Sequence, residues 1–231
     1  MLGAMTSLAA RGKSRGLTLV ELLLAMALGL FVVAVASTLL MNRLREHRAL
    51  LVDSRLMLDL RSTAALVARD LRRAGHWGDA SAALWQPGST PVDNPYTDLT
   101  PASGNTDALS FLFSRDAVEN HVVDSNEHFG FRLNQGVVEM LLGGGSWQAL
   151  TDKGTMQVLS FSMTPSVREV SLAGACAKPC ASGVADCPPK QVLRSVSIAL
   201  TARSTTDPQL VRSAASDVRL RNDIVRGRCP A

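Results

Sequence analysis

Aromatic residues are scarce: three Trp, one Tyr and six Phe make up 4% of the 231 residues. So few rings offer no platform for stacked nucleobases. G-x-S-x-G, H-E-x-x-H and Walker sequences are absent, and with them the common signatures of a serine hydrolase, a zinc protease and a nucleoside triphosphatase. His121 and His128 stand seven apart among short strands and loops, which reads as polar surface. Gly143-Gly144-Gly145-Ser146 lacks the following helix and lysine of a phosphate-cradling loop, so it reads as a hairpin turn. Charge of one sign is missing from most of the chain too. The formal +4 falls to +1 once Arg11, Lys13 and Arg15 are set aside, and from His76 onward there are 13 basic against 15 acidic residues. That balance does not make a polyanion binder. Catalysis, metal, cofactor and nucleic acid therefore receive no support. With 46% hydrophobic and 19% charged residues, the composition is that of a folded domain with an additional helix.

The longest apolar stretch shapes everything else. Residues 17–41, LTLVELLLAMALGLFVVAVASTLLM, are 25 residues with a single charge, Glu21. At about 1.5 Å per residue, a helix of that length crosses a hydrocarbon core of about 30 Å. A secretory signal peptide has a shorter core followed by a small-residue cleavage site. A plain signal anchor accounts for the length, but not for a carboxylate at the fifth position, which costs about 2.5–3.5 kcal/mol at mid-membrane. Arg11, Lys13 and Arg15 precede the run and Arg43, Arg45 and Arg48 follow it, so the flanking charges do not orient it.

Residues 13–21, KSRGLTLVE, resemble the leader and cleavage site of type IV prepilins: a short basic leader, a glycine, a hydrophobic residue, then a glutamate at the fifth mature position and an apolar helix. Leu17 stands where that family usually has Phe. The resemblance implies that a prepilin peptidase cuts between Gly16 and Leu17 on the cytoplasmic face and methylates the new amine of Leu17. It implies, in turn, that the chain beyond the apolar helix is periplasmic. It also implies that Glu21 pairs with the N-terminal amine of a neighbouring subunit during fibre assembly. The helix dipole favours an anion in the first turn by about 0.3–1 kcal/mol at an exposed site, which suits that role.

Beyond the apolar run, residues 42–75 contain no Pro or Gly until Gly75. Ala49, Val52, Leu56, Leu60, Ala64, Val67, Leu71 and Ala74 recur at three- and four-residue steps, which is one apolar face of a helix. The spacing predicts one helix of about 55–60 residues, apolar all round in its first half and amphipathic in its second. Residues 68–78, ARDLRRAGHWG, resemble the end of the stem in PilW-type minor pilins, with His76 where Tyr is usual and Asp79 where Cys is frequent. Taken alone, that stretch is an Arg-rich helix end closed by a glycine C-cap. Residues 218–222, VRLRN, are similar to an ending found in many minor pilins and pseudopilins; taken alone they read as a charged edge strand.

Residues 79–107, rich in Pro, Ser, Thr, Asn, Asp and Gly, predict a long loop over the head. Strands are predicted over 108–113, 121–124, 129–133, 137–142, 147–150, 156–163 and 194–202. The expected fold is α+β and pilin-like, a long N-terminal helix packed on an antiparallel sheet. Its parts would be a leader (1–16), a transmembrane helix (17–41), a helical stem (42–75) and a periplasmic head (76–231). Cys176, Cys180, Cys187 and Cys229 do not have a strong zinc spacing, and four cysteines allow three pairings. A periplasmic head favours disulfides. Cys229 is expected to join one of the other three, and the remaining two to pair locally.

The resemblance as a whole implies a non-enzymatic minor type IV pilin of the bacterial inner membrane that helps initiate pilus assembly and enters the pilus, serving adhesion and twitching motility. Its implied partners are prepilin peptidase, other minor pilins, the major pilin, the inner-membrane assembly platform and a tip adhesin. A minor pseudopilin of a type II secretion system shares the leader and stem and is the alternative. A DNA-binding minor pilin would need a basic track that the head's balance does not supply.

Overall fold

The computed structural model describes residue 16, residues 18–84 and residues 91–230. The chain divides after Leu50 into two units. One helix, α1 (Leu19–Leu71), runs through 53 residues. Within the first unit every described residue is exposed, and the most apolar window of α1 has a mean hydropathy of 2.6. By length and composition α1 can cross a membrane.

The second unit begins as α1 becomes amphipathic. Leu56, Leu60, Ala64, Val67, Leu71 and Ala74 of the expected stripe are buried, joined by Thr63 and Ala68. Ala49 is exposed and Val52 half-buried, so the buried face starts at Leu56, about two turns later than the spacing predicts. Each fully buried Leu or Val contributes about 1.5–3 kcal/mol of transfer free energy, which ties this half of α1 to the head more firmly than helix propensity alone.

The strands fall into two antiparallel sheets. The first is a meander of β1 (Leu99–Thr100), β2 (Ala108–Leu112), β3 (His128–Asn134), β4 (Val137–Leu141) and β5 (Trp147–Ala149), in that spatial order. The second holds β6 (Met156–Ser171), β7 (Lys190–Ser204) and β8 (Val211–Arg219) in order, with β9 (Ile224–Arg226) beside the start of β7. The expected α+β, pilin-like plan of a long helix on antiparallel strands is what the structure has, with the strands shared between two sheets rather than one. Phe111, Phe131, Met163, Ile198, Leu200 and Leu220 meet the buried face of α1 in a single core. In β7, Val196, Ile198, Leu200 and Ala202 point inward, while Ser197 and Ala199 point to solvent.

Two local departures from expectation have clear causes. Residues 121–124 form no strand. Asn120 Oδ1 accepts the Val122 N–H at 2.7 Å and Glu119 Oε1 accepts the His121 N–H at 3.0 Å, so side chains hold the amides a ladder would need. Asp124 instead opens a 3-10 turn over Ser125–Glu127. The second departure is at the far end, where 218–222 is only in part an edge strand. Val218 and Arg219 close β8, Leu220 is fully buried, and Asn222 turns back to the helix. The glycine run makes the turn between β4 and β5 as expected. Gly144 has φ +65°, and a Cβ there would lie 1.9 Å from the Ser125 carbonyl oxygen, so no other residue fits.

Candidate functional site

The N-terminal end of α1 is built from a reciprocal pair. Thr18 precedes the first helical residue, its carbonyl accepts the Leu22 N–H at 3.1 Å, and its Oγ1 accepts the Glu21 N–H at 3.3 Å. Glu21 Oε2 accepts the Thr18 N–H in return at 3.5 Å. This is a capping box, which satisfies two of the N–H groups orphaned at a helix start. T-x-x-E before an apolar run was a readable signal for Thr18, and sequence reasoning missed it. Gly16 is exposed, and a Cβ placed on it would meet nothing within 4 Å among the described residues. Packing therefore gives no reason for a glycine at that point. Leu17, the expected first mature and methylated residue, lies outside the described residues, as does the basic leader with Arg11, Lys13 and Arg15.

The other end of α1 is capped from the far end of the chain, over a buried arginine. Gly75, at φ +76°, ends the helical turn and donates its N–H to the Leu112 carbonyl at 2.8 Å. Asn222 Nδ2 donates to the carbonyls of Arg73 and Ala74, at 3.3 and 3.1 Å, and the Arg221 N–H reaches the Arg72 carbonyl. The VRLRN stretch is thus a C-cap supplied from across the chain. Arg194 is buried beneath it, donating from Nη1 to the Thr97 carbonyl at 2.5 Å and from Nη2 to the Asn222 carbonyl at 3.0 Å. Burial holds its pKa below the ordinary arginine value, against the pull of Asp223.

The loop over the head is anchored through polar groups. Tyr96 is fully buried and its single hydroxyl hydrogen is shared between Glu119 Oε1 at 3.2 Å and the Val122 carbonyl at 3.1 Å. Burial raises the pKa of that phenol. Partial burial of Glu119 works against its ionisation, yet the N–H groups of Gly78 and His121 hold its carboxyl below the usual glutamate value. Glu127, fully buried, accepts N–H groups from Arg115 at 2.7 Å and Asp124 at 2.8 Å. These acids satisfy backbone donors and do not converge on an open cleft.

The four cysteines form two disulfides, Cys176 with Cys229 and Cys180 with Cys187. The first closes a long loop across the head and the second a short one. His121 and His128 are exposed, and among the described residues no His, Cys, Asp or Glu group has the makings of a metal site.

The prokaryotic N-terminal methylation motif matches residues 11–37, which include Gly16, Leu17 and Glu21. The family model described as prepilin peptidase-dependent protein B matches residues 49–220, well over half of the chain. The chain belongs to the prepilin peptidase-dependent protein B family. Neither a curated protein nor a solved structure matches it. A prepilin peptidase-dependent protein with an N-methylation motif is of the pilin or pseudopilin class, processed by prepilin peptidase, and its apolar helix fits a membrane anchor. Pilin-type families are structural.

Proposed function

We propose that this chain is a minor type IV pilin. In this reading Gly16 ends the leader, Leu17 becomes the methylated N-terminus, and α1 holds the subunit in the inner membrane with its head in the periplasm until the fibre takes it up. Glu21 then pairs with the Leu17 amine of a neighbour. The observation that carries the reading is the sharp division of α1. Its residues 19–41 are apolar but for Glu21 and wholly exposed, although water penalises such a surface by about 25 cal/mol per Å². Its second unit is sealed into a disulfide-linked head. A helix of this kind is stable only among lipids or among other helices like it. The ARDLRRAGHWG segment favours a PilW-type pilus subunit over a secretion pseudopilin, and its partners would be other minor pilins, the major pilin, the assembly platform and a tip adhesin.

The test is intact-mass and N-terminal analysis of the chain made with and without prepilin peptidase, beside Gly16→Ala. The expected product begins at methylated Leu17, requires the peptidase and disappears in the variant. A leader retained under every condition overturns the proposal. Deleting the gene should then abolish surface pili with protein secretion intact; the opposite result assigns the chain to a secretion pseudopilus.

A further inference from the structure

Five strands have an open side among the described residues, and four are guarded. β1 has two residues, β5 three and β9 three. β6 is long, but it carries a bulge between Val158 and Ser160, Pro165 supplies no N–H, and Met163 already exchanges both backbone hydrogen bonds with Thr106. Bulges, prolines and short lengths are the usual means by which a sheet edge avoids further pairing. β8, nine residues long, has none of them.

The register fixes which of its groups are free. The Leu220 N–H donates to the Arg194 carbonyl and the Ser204 N–H to the Leu210 carbonyl. Even-numbered residues of β8 therefore exchange hydrogen bonds with β7, and the odd ones, Val211, Ser213, Ala215, Asp217 and Arg219, turn their N–H and C=O groups outward. Among the described residues, only the Val211 carbonyl of these groups has a partner, the Arg212 side chain. Ser213 and Ala215, at the middle of the edge, are too small to shield it.

The direction of β8 decides what can pair there. Arg212 Nε lies 2.7 Å from Asp53 Oδ1, a close ion pair not aligned as a hydrogen bond, and Asn222 caps Arg73 and Ala74. From 53 to 73 the helix rises about 30 Å, and from 212 to 222 an extended chain covers about 33 Å. β8 and this half of α1 thus run side by side in the same direction. Antiparallel pairing of β8 with the β8 of a second copy would reverse the second helix. Subunits anchored in one membrane or stacked in one polar fibre, as the pilin reading requires, cannot meet in that way. The β6 edge of a copy is closed for the reasons above.

We propose that β8 is a strand-accepting edge, and that a different protein of the assembly adds an extended segment to it as a further strand of the second sheet. Backbone groups at 213, 215 and 217 supply the attraction. The incoming segment would alternate, with apolar side chains beside Ala214, Ser216 and Val218 and small polar ones beside Ser213, Ala215 and Asp217.

The test uses the full chain in detergent micelles and, as probe, a nine-residue peptide of the β7 sequence from Ser195 to Arg203, which has that alternation. Residue-resolved amide exchange should show Ser213, Ala215 and Asp217 exchanging at least about 100-fold faster than Ala214, Ser216 and Val218 in the free chain. Saturating peptide should slow the three odd amides tenfold or more. Ala215→Pro removes an outward N–H only, so it should keep the thermal midpoint and lose the slowing. A peptide N-methylated at alternate residues should fail on the unaltered chain, which keeps the test valid if the proline variant does not fold. Protected odd amides in the free chain, no slowing by peptide, or equal slowing with the N-methylated peptide overturns the proposal. So does protection that rises with protein concentration alone, which places a second copy on the edge. None of these readings depends on cleavage at Gly16, so failure here and failure of the pilin assignment are distinguishable.

Discussion

Replacing Gly75 with Ala attacks the junction between α1 and the head at its tightest point. The left-handed φ of +76° costs an L-residue about 1–2 kcal/mol. The new Cβ would also sit 2.6 Å from Arg194 Nη2. The end of an arginine can usually swing away, but this one is 6% exposed and bonded to two carbonyls. Moving it forfeits a charge-assisted hydrogen bond to Asn222, about 1.5–3 kcal/mol. The sum is about 2.5–5 kcal/mol, or roughly 5–20 °C in the unfolding midpoint of a domain this size. Thermal unfolding of the full chain in micelles, followed by near-ultraviolet dichroism of the buried Trp77, measures it. In an Arg194→Leu background the same change should cost only the backbone part. A loss below about 1 kcal/mol, or the same loss in both backgrounds, would show that Arg194 does not enforce the glycine.

Other perturbations probe different parts of the molecule. Glu127→Ala removes the buried carboxylate that accepts the N–H groups of Arg115 and Asp124, at about 1–3 kcal/mol each, so chemical denaturation should show a loss of about 2–6 kcal/mol. Glu119 has a lowered folded-state pKa; its contribution is complete above the unfolded glutamate value and disappears as pH falls through the folded one. Midpoints measured from pH 7 down to pH 3 should therefore fall more steeply for the unaltered chain than for Glu119→Gln. Breaking Cys176–Cys229, with its separation of 53 residues, should destabilise by about 4 kcal/mol, and breaking Cys180–Cys187, with a separation of 7, by about 2 kcal/mol. Equal losses in paired Cys→Ser variants would argue against a chain-entropy origin. Glu21→Gln keeps an acceptor for the Thr18 N–H and removes the charge, so helix content by circular dichroism should hold while incorporation into fibres falls. Lost helix would reduce Glu21 to a capping residue.

Helix α1 was legible because its signal repeats over many turns. An unbroken apolar run, then a stripe from Leu56 to Ala74, survives an error at any one position. The strand pattern was legible where alternation was regular, as in β7, and failed where side chains compete with the backbone. Val122 has a β-branched neighbour in Val123, yet Asn120 and Glu119 capture the local amides first. β8 was missed for the opposite reason. Ser213, Ala214, Ala215 and Ser216 show almost no contrast between faces, and it is pairing with β7, far away in sequence order from the helix it flanks, that makes them a strand.

The candidate site divides along the same line. The stretch that holds Gly16, Leu17 and Glu21 was readable because its motif lies in near-consecutive residues, and the N-terminal methylation motif matches across it. The C-cap of α1 was not, because its donors come from Asn222 and Arg221, about 150 positions away. VRLRN and ARDLRRAG carry separate resemblances, and the structure has them bonded to each other, with Arg194 beneath and Gly75 leaving room for it. That contact gives a physical reason for the two stretches to occur together in one chain: each satisfies groups that the other leaves bare.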